Sequence, residues 1–421
     1  MYRVLVEIMK KLLFILMFLT VLLNAQTIQY TMPGEDLQHK STWLQWPHNN
    51  TFPPYHIVDN EPAFIEMTRS LESTEKVYII VYDLLERSRV EQVLVDENIP
   101  LKNVSFYIHE NDDYWVRDNG PIFVYDANHD LTILDFGFNG WGGDAPYSLC
   151  DDIPTLLAAD LNLPVVDLSD MVLEGGAIEI DGHGSVMMTR SSITGADRNP
   201  NLSESQIEDY LTTYLGLTHF IWLDGQFGGM QDVTDMHIDG FAKFIDSTTI
   251  ITLDSSDLSY WGLSSQDIQT LKNATDKFGN PYSIITLPLT VNDVVTTWGS
   301  SLNFKGSYAN YYIANSVVLV PIYNDPNDSI ALNIIQSQYP NRIVYGIDSR
   351  NLFDWGGMVH CVTQQQPIDL NPTSIDEINN VPKKILNIVD VLGRKVKKEL
   401  NQILFYIFDD GSVEKKIQIN E

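Results

Sequence analysis

The sequence predicts an α/β body followed by a small β-rich module, and three observations carry that reading. From about residue 60 onward, apolar runs with strand character alternate with helical ones, the pattern of a layered α/β fold. Five polar motifs, at Asp118, Glu174, His237, Asn310 and Cys361, recur at intervals of 56, 63, 73 and 51 residues. Such spacing arises when each motif sits on one unit of a repeated supersecondary structure around a common axis. After Pro367 the chain changes to short β-rich runs broken by turn signals. The expected boundaries are a leader at 1–25, the body at 26–370 and the β-rich module at 371–421.

The leader comes first. Lys10-Lys11 precedes an apolar run from Leu12 to Leu23, and Asn24-Ala25-Gln26 then turns polar. A positive start, a short apolar stretch and a small residue at the cut read as a secretory signal peptide. Twelve residues are too few to cross a bilayer as a helix. Met9 is an alternative start that would leave out the unusual acidic Glu7. The expectation is an exported protein, secreted or held at the cell surface.

In the body, Glu61–Leu71 reads as helix and Lys76–Tyr82 as a β-branched strand. Pro121–Tyr125 and Leu131–Phe136 read as strands around an Asp126-Ala127-Asn128 turn. Ser203–Leu215 opens with Ser203 and Gln206 at capping-box spacing. Val317–Tyr323, Ser329–Ser337 and Arg342–Ile347 read as strand, helix, strand. No GxGxxG or P-loop follows a strand, so no nucleotide cofactor is suggested. In the tail, Asn371-Pro372-Thr373-Ser374 reads as a linker before a small β-sandwich built from 384–390, 403–408 and 415–419.

Charge narrows the partners. The formal net charge is −30. The leader is slightly basic and the tail is balanced, so residues 26–371 hold 47 acids against 15 bases. Such a body repels nucleic acid and anionic membranes and attracts cations. The two cysteines, Cys150 and Cys361, form no CxxC pair, which excludes a zinc ribbon or redox motif. One disulfide and one free reactive thiol both remain open.

Four motifs carry chemistry. Cys361 follows Gly356-Gly357-Met358-Val359-His360, and paired glycines let a backbone turn tightly and present a thiol at an element end. In Asp235-Met236-His237-Ile238-Asp239, an extended segment would point both acids and the imidazole the same way. Asn111 to Pro121 is dense in polar groups before a strand, with Trp115 and Arg117 beside Asp118. Glu174 precedes a glycine pair. Two mechanisms compete. A non-haem iron site could use His237, Asp239 and a distant His360, although no arginine follows His360 within ten residues to hold a co-substrate carboxylate. The alternative is thiol attack on an electrophilic carbon, with His237 as acid–base. Carboxylates around a thiol suit a planar cation, whose N–H donors pair with carboxylate forks.

With these residues assembled, the middle of the chain resembles the agmatine deiminase family, grouped with the Porphyromonas-type peptidylarginine deiminases in the guanidino-group-modifying superfamily. The resemblance runs from Met32-Pro33-Gly34-Glu35 and Thr42-Trp43-Leu44-Gln45-Trp46-Pro47 to Pro367. It includes Trp115-Val116-Arg117-Asp118, Glu174-Gly175-Gly176, Asp235-Met236-His237-Ile238-Asp239, Gly306-Ser307-Tyr308-Ala309-Asn310 and His360-Cys361-Val362-Thr363-Gln364-Gln365-Gln366-Pro367. It implies a pentein-like, five-bladed pseudo-symmetric α/β propeller with the active site on its axis.

The resemblance also implies roles. Cys361 attacks the guanidinium carbon. His237 protonates departing ammonia and then activates water. Asp118 and Asp239 clamp the guanidinium nitrogens, and Glu174 assists the clamp or orients His237. Trp115 and Asn310 complete the substrate-binding set. An S-alkylthiouronium intermediate is resolved by water to a ureido product, with no metal or organic cofactor. Peptidylarginine deiminases of this kind hold the substrate carboxylate with an arginine pair. The corresponding stretch here, Phe136 to Gly143, has no arginine. That resembles agmatine deiminases and favours agmatine, giving N-carbamoylputrescine and ammonia, over peptidylarginine. Two features pull the other way: Met236 stands where agmatine deiminases usually carry glycine, and export fits a peptidylarginine or scavenging role better. A third reading is a non-catalytic surface binding protein.

The tail resembles the C-terminal sorting domain of the type nine secretion pathway, through Asp390-Val391-Leu392-Gly393-Arg394 and the Gly411 to Lys416 stretch. That implies the secretion machinery as a partner and removal of the module on export.

Overall fold

The computed structural model describes residues 29–226, 232–371, 385–389, 394–396, 403–408 and 413–417. The chain divides into two units, one ending at Ile368 and one beginning at Asp369. The expected leader lies outside the described residues, as do residues 390–393 and 411–412 of the expected sorting motifs. Among the described residues, no helix is long and apolar enough to cross a membrane.

The first unit repeats one arrangement five times. A short strand pairs antiparallel with the next, and a helical crossover then returns the chain to a third strand, parallel to the second. Ile122–Asp126, Leu131–Gly137 and Val165–Val172 follow this order. So do Ile178–Ile180, Ser185–Thr189 and His219–Leu223; Ala242–Asp246, Thr249–Leu253 and Ser283–Leu287; and Tyr312–Ile313, Val317–Ile322 and Ile343–Asp348. The fifth sheet joins the two ends of the unit: Gln364–Pro367 pairs with His39–Gln45, which runs parallel to Lys76–Val81, itself parallel to Val104–Ile108. Parallel pairs need crossovers of a dozen residues or more, and the helices Pro54–Leu71, Glu204–Leu215 and Asp328–Gln338 supply three of them.

Local chemistry explains the elements. Val317–Ile322 and Lys76–Val81 read as near-continuous apolar runs because both faces are covered. The helix Glu204–Leu215 has the expected capping box, with Ser203 and Gln206 bonding reciprocally, and ends at Gly216 with φ +74°. Such a cap is worth about 1 kcal/mol. The helix expected at Glu61–Leu71 begins earlier, at Pro54. Proline is welcome in a first turn because its missing N–H has no intrahelical partner there. The face of His56, Asn60, Phe64, Met67 and Leu71 is buried, and tertiary packing carries the helix past Pro62.

The second unit contains a three-stranded antiparallel sheet, Ile385–Val389, Ile403–Phe408 and Val413–Ile417. Among its described residues Leu404 is buried, packed by Ile388 and Val396.

Candidate active site

The repeat places the polar motifs. Each lies within five residues of the first strand of a sheet: Asp118 before Ile122, Glu174 before Ile178, His237 and Asp239 before Ala242, Asn310 before Tyr312, and Cys361 before Gln364. Short helical turns carry most of them. Asp118 sits in Val116–Asn119, Glu174 caps Gly175–Ala177, His237 caps Ile238–Gly240, and Cys361 sits in His360–Val362. The first of these turns packs on the second and the fourth, and the second packs on the third. Corresponding ends of separate sheets therefore meet at one place.

Gly176 marks the centre. A Cβ built there would lie 2.6 Å from His237 Nδ1, 2.8 Å from Asp118 Oδ1 and 3.1 Å from Asp239 Oδ2, all closer than ordinary carbon contact. The glycine admits three polar side chains from three segments, and its own N–H donates to Asp118 Oδ1 at 3.0 Å. His237 Nε2 lies 2.9 Å from Glu174 Oε2, and its Nδ1 lies 3.7 Å from Asp118 Oδ1. Trp141 Nε1 donates to Asp118 Oδ2 at 2.9 Å.

Asn310 ties Cys361 to this group. Its Nδ2 lies 3.4 Å from Cys361 Sγ and 3.3 Å from the Asp239 carbonyl, while its Oδ1 accepts from the His360 N–H at 2.9 Å. Cys361 is half-buried and free; Cys150 is fully buried and also free, so no disulfide links them. Trp115 packs elsewhere in the site wall, with its ring against Gly357, just before the thiol. It is buried in the apolar cluster that Cys361 also touches.

The extended segment expected at 235–239 does not form. Asp235 and Met236 take left-handed φ values of +53° and +73°, and Ile238–Gly240 is a helical turn. His237 and Asp239 still converge, whereas Asp235 points away to Arg198, 3.3 Å from its NH1. The strained turn is held from outside: Ser191 Oγ donates to the Asp235 carbonyl and Thr189 Oγ1 to that of Met236.

Several partners were not evident in the sequence. Arg198, wholly buried, donates through Nε to Glu174 Oε1 at 2.6 Å. His360 Nδ1 lies 2.8 Å from Asp239 Oδ2, and its Nε2 lies 2.7 Å from Glu35 Oε2 and 3.0 Å from Lys243 Nζ. Lys243 also pairs with Glu179 at 2.8 Å. Glu35 comes from the start of the unit and Lys243 from the third sheet, so spacing could not reveal them. Both ring nitrogens of His360 are thus turned to carboxylates. Among the described residues, no group of three or more His, Cys, Asp or Glu side chains could hold a metal ion.

These neighbours set the charges. Burial pushes the Asp118 carboxyl up, Glu174 and Asp239 add to that, and His237 offsets part of it, leaving a pKa of about 6. Burial opposes a charge on His237, but Asp118, Glu174 and Asp239 overcome it and raise the imidazole to about 9. Burial likewise opposes the Asp239 charge, yet the His360 hydrogen bond and charge hold that carboxyl below its ordinary range. Burial, then the charges of Asp239 and Asp118, push the Cys361 thiol well above its ordinary value. A cation bound between those two carboxylates would remove the charge that opposes the thiolate.

A family model described as Porphyromonas-type peptidyl-arginine deiminase matches residues 31–367. A relative from Selenomonas ruminantium named "Putative agmatine deiminase" is 31% identical over 360 residues, 80% of this chain and 96% of its own length. The solved agmatine deiminase of Enterococcus faecalis superposes with a TM-score of 0.70 at 27% identity, covering 80% of this chain and 96% of that one. A cysteine-to-serine variant of the C. jejuni agmatine deiminase, solved with substrate bound, gives 0.69 at 26% identity, covering 81% and 97%. The fold is therefore the mixed α/β fold of these deiminases, and the chain belongs to the Porphyromonas-type peptidyl-arginine deiminase family.

Proposed function

We propose that this protein is a hydrolytic deiminase that removes ammonia from a guanidinium group, with agmatine as substrate and N-carbamoylputrescine as product. The observation that carries the reading is the single cluster formed by Cys361, Asn310, Asp239, Asp118, His237 and Glu174. Homologues named agmatine deiminase, matched along most of their length, support the same chemistry. The five sheets are read as five blades around a common axis, with this cluster at the axis.

In this reading Asp118 and Asp239 take the guanidinium nitrogens through charge-assisted hydrogen bonds. Neutralising them lets Cys361 give its proton to solvent, where it later converts the released ammonia to ammonium, and the thiolate attacks the central carbon. The tetrahedral adduct collapses when His237, charged at neutral pH, protonates the departing ammonia. The imidazole then takes a proton from water as it attacks the thiouronium carbon, and the thiol leaves. Cation plus water becomes neutral urea plus ammonium, so charge balances without a cofactor. Glu174 orients the imidazole through Nε2, and Asn310 holds the sulfur. Trp115 backs the loop before the nucleophile and lines the substrate side.

An amine-ended substrate is favoured over peptidylarginine by the stretch from Phe136 to Gly143. It folds onto the cluster through Trp141 and carries no arginine for a substrate carboxylate. Arg198 lies beneath it, within 2.7 Å of a Cβ built at Gly142. Its donors are committed to Glu174, Asp197, Asp235 and the Val233 carbonyl. The family description keeps peptidylarginine as the second reading. Export through the leader, with the tail read and removed by the type nine secretion machinery, completes the proposal.

The test is ammonia release from purified protein given agmatine, free arginine or a peptide ending in arginine. Turnover of agmatine alone supports the proposal; turnover of only the peptide overturns the substrate. No turnover of any guanidine, in protein shown to be folded, supports the non-catalytic reading instead. A chelator should leave the rate unchanged, whereas an iron centre would lose it.

A further inference from the structure

Arg198 is a buried cation that the mechanism leaves unused. It lies in Ala196-Asp197-Arg198-Asn199-Pro200, far in sequence from both Glu174 and His237, yet its side chain touches the supports of both. Nε donates to Glu174 Oε1 at 2.6 Å, on the carboxylate whose other oxygen meets His237 Nε2. NH1 lies 3.3 Å from Asp235 Oδ2, and NH2 donates to the Val233 carbonyl at 3.0 Å. Those two residues lead into His237 through the left-handed Asp235–Met236 turn. The outward contact, NH1 to Asp197 Oδ2 at 3.0 Å, ends on a side chain 47% exposed.

The next residue strengthens the same grip. Asn199 exchanges hydrogen bonds with the backbone of Val172, receiving its N–H at 2.9 Å and donating to its carbonyl at 2.8 Å. Val172 stands two residues before Glu174. Adjacent side chains therefore fix the Glu174 segment by its backbone and by its carboxylate.

A buried cation kept only for structure needs partners, but it need not join two working groups. We propose that Arg198 is a positioning residue of the acid–base centre: its planar guanidinium locks Glu174 against His237 and anchors the strained turn that delivers the imidazole. Lysine places all its donors on one nitrogen, so it cannot reproduce the wide planar fork that reaches Glu174 through Nε and Asp235 and the Val233 carbonyl through the terminal nitrogens. The catalytic part of this inference rests on the role proposed for His237. The positioning part does not, because it can be read from the imidazole itself.

The experiment titrates ring-labelled histidine by NMR in the intact protein and its Arg198→Met and Arg198→Lys variants, beside steady-state kinetics with agmatine. The groups facing His237 are Asp118, Glu174 and Asp239, and those facing Arg198 are Glu174, Asp197 and Asp235. Wild-type His237 should titrate near 9. In Arg198→Met it should titrate at least one unit lower, with kcat down at least 100-fold and KM within threefold. Arg198→Lys should keep the fold, lose at least tenfold in kcat and move the alkaline limb of activity downward. If Arg198→Met does not fold, the lysine variant decides: an unmoved His237 titration and a kcat within twofold of wild type overturn the inference. If wild-type protein hydrolyses no guanidine, the functional reading fails on its own, and the histidine titration still decides the positioning role.

Discussion

Asp239 and His360 share a buried hydrogen bond, with Nδ1 2.8 Å from Oδ2 and both side chains 2% exposed. The bond fixes the same carboxylate oxygen that lies nearest Gly176 at the centre of the cluster. On the far side of the ring, Glu35 and Lys243 hold Nε2. His360, beside Cys361, thus holds the carboxylate proposed to clamp the substrate cation, and its N–H is bound by Asn310, whose amide also meets the sulfur.

Replacing that ring should act on binding first. His360→Leu leaves Asp239 buried without its imidazole partner, while Glu35 keeps Lys243, a loss of several kcal/mol in stability by analogy with broken buried pairs. In the protein that remains folded, KM for the guanidine should rise about tenfold or more, equivalent to about 1.4 kcal/mol. His360→Asn, which keeps a donor, should fall between the two. An unchanged KM in both variants would show that Asp239 is oriented without His360.

The pH profile follows from two groups with opposite requirements. In the proposed mechanism Asp118 is ionised to hold the cation, and burial raises its carboxyl to about 6. His237 must be protonated to release ammonia, and it keeps its proton to about 9. Initial rates should therefore rise as pH passes through 6 and fall as it passes through 9, with a plateau between. Activity that keeps climbing above about pH 10 would remove His237 as the acid.

Gly176→Ala tests the crowded centre. Its Cβ meets three site atoms at 2.6–3.1 Å, so Asp118, His237 or Asp239 must move. Overpacking of this kind costs about 1–3 kcal/mol, and a displacement of about 1 Å can cost about 100-fold in rate. Thermal melting and kcat measured together should show a modest loss of stability and a large loss of turnover. Wild-type turnover in the variant would place the reacting atoms elsewhere.

The two cysteines should separate cleanly. Cys361→Ser should abolish turnover. Cys150 is fully buried beside Gln45 and the Asp113 carbonyl, and burial pushes its thiol up to about 12. The Cys361 thiol is raised as well, but it is only half-buried; iodoacetamide on native protein should therefore label Cys361 before Cys150 by mass spectrometry, and Cys150→Ser should keep turnover within about threefold. Labelling of Cys150 before Cys361 would exchange their roles.

Much of the site was legible because its chemistry is carried by residue types at element ends. Cys361 after two glycines, Glu174 before two, and Asp118 just ahead of a strand all stand out against apolar neighbours, and each is found at the corresponding end of a sheet. The local conformation around His237 was not legible. Asp235-Met236-His237 reads as extended by alternation, but Asp232 and Thr234 accept from its backbone N–H groups, and Ser191, Thr189 and Arg198 from distant segments complete the left-handed turn. Arg198 itself sits among Asp, Asn and Pro, a composition that in isolation belongs to a solvated loop.

The sequence alone determined the α/β alternation, the capped helix at Ser203 and the set of groups able to do the chemistry, because periodicity, capping and acid–base character are local properties of the chain. Tertiary structure alone decided which groups meet. Glu35, Glu174, Arg198, Lys243 and His360 are scattered over more than 300 residues, and only the packing of the turns that lead into separate sheets brings their charges out of water and within hydrogen-bond reach. Proton affinities depend on that burial and on those distances, so they could not be read from residue order.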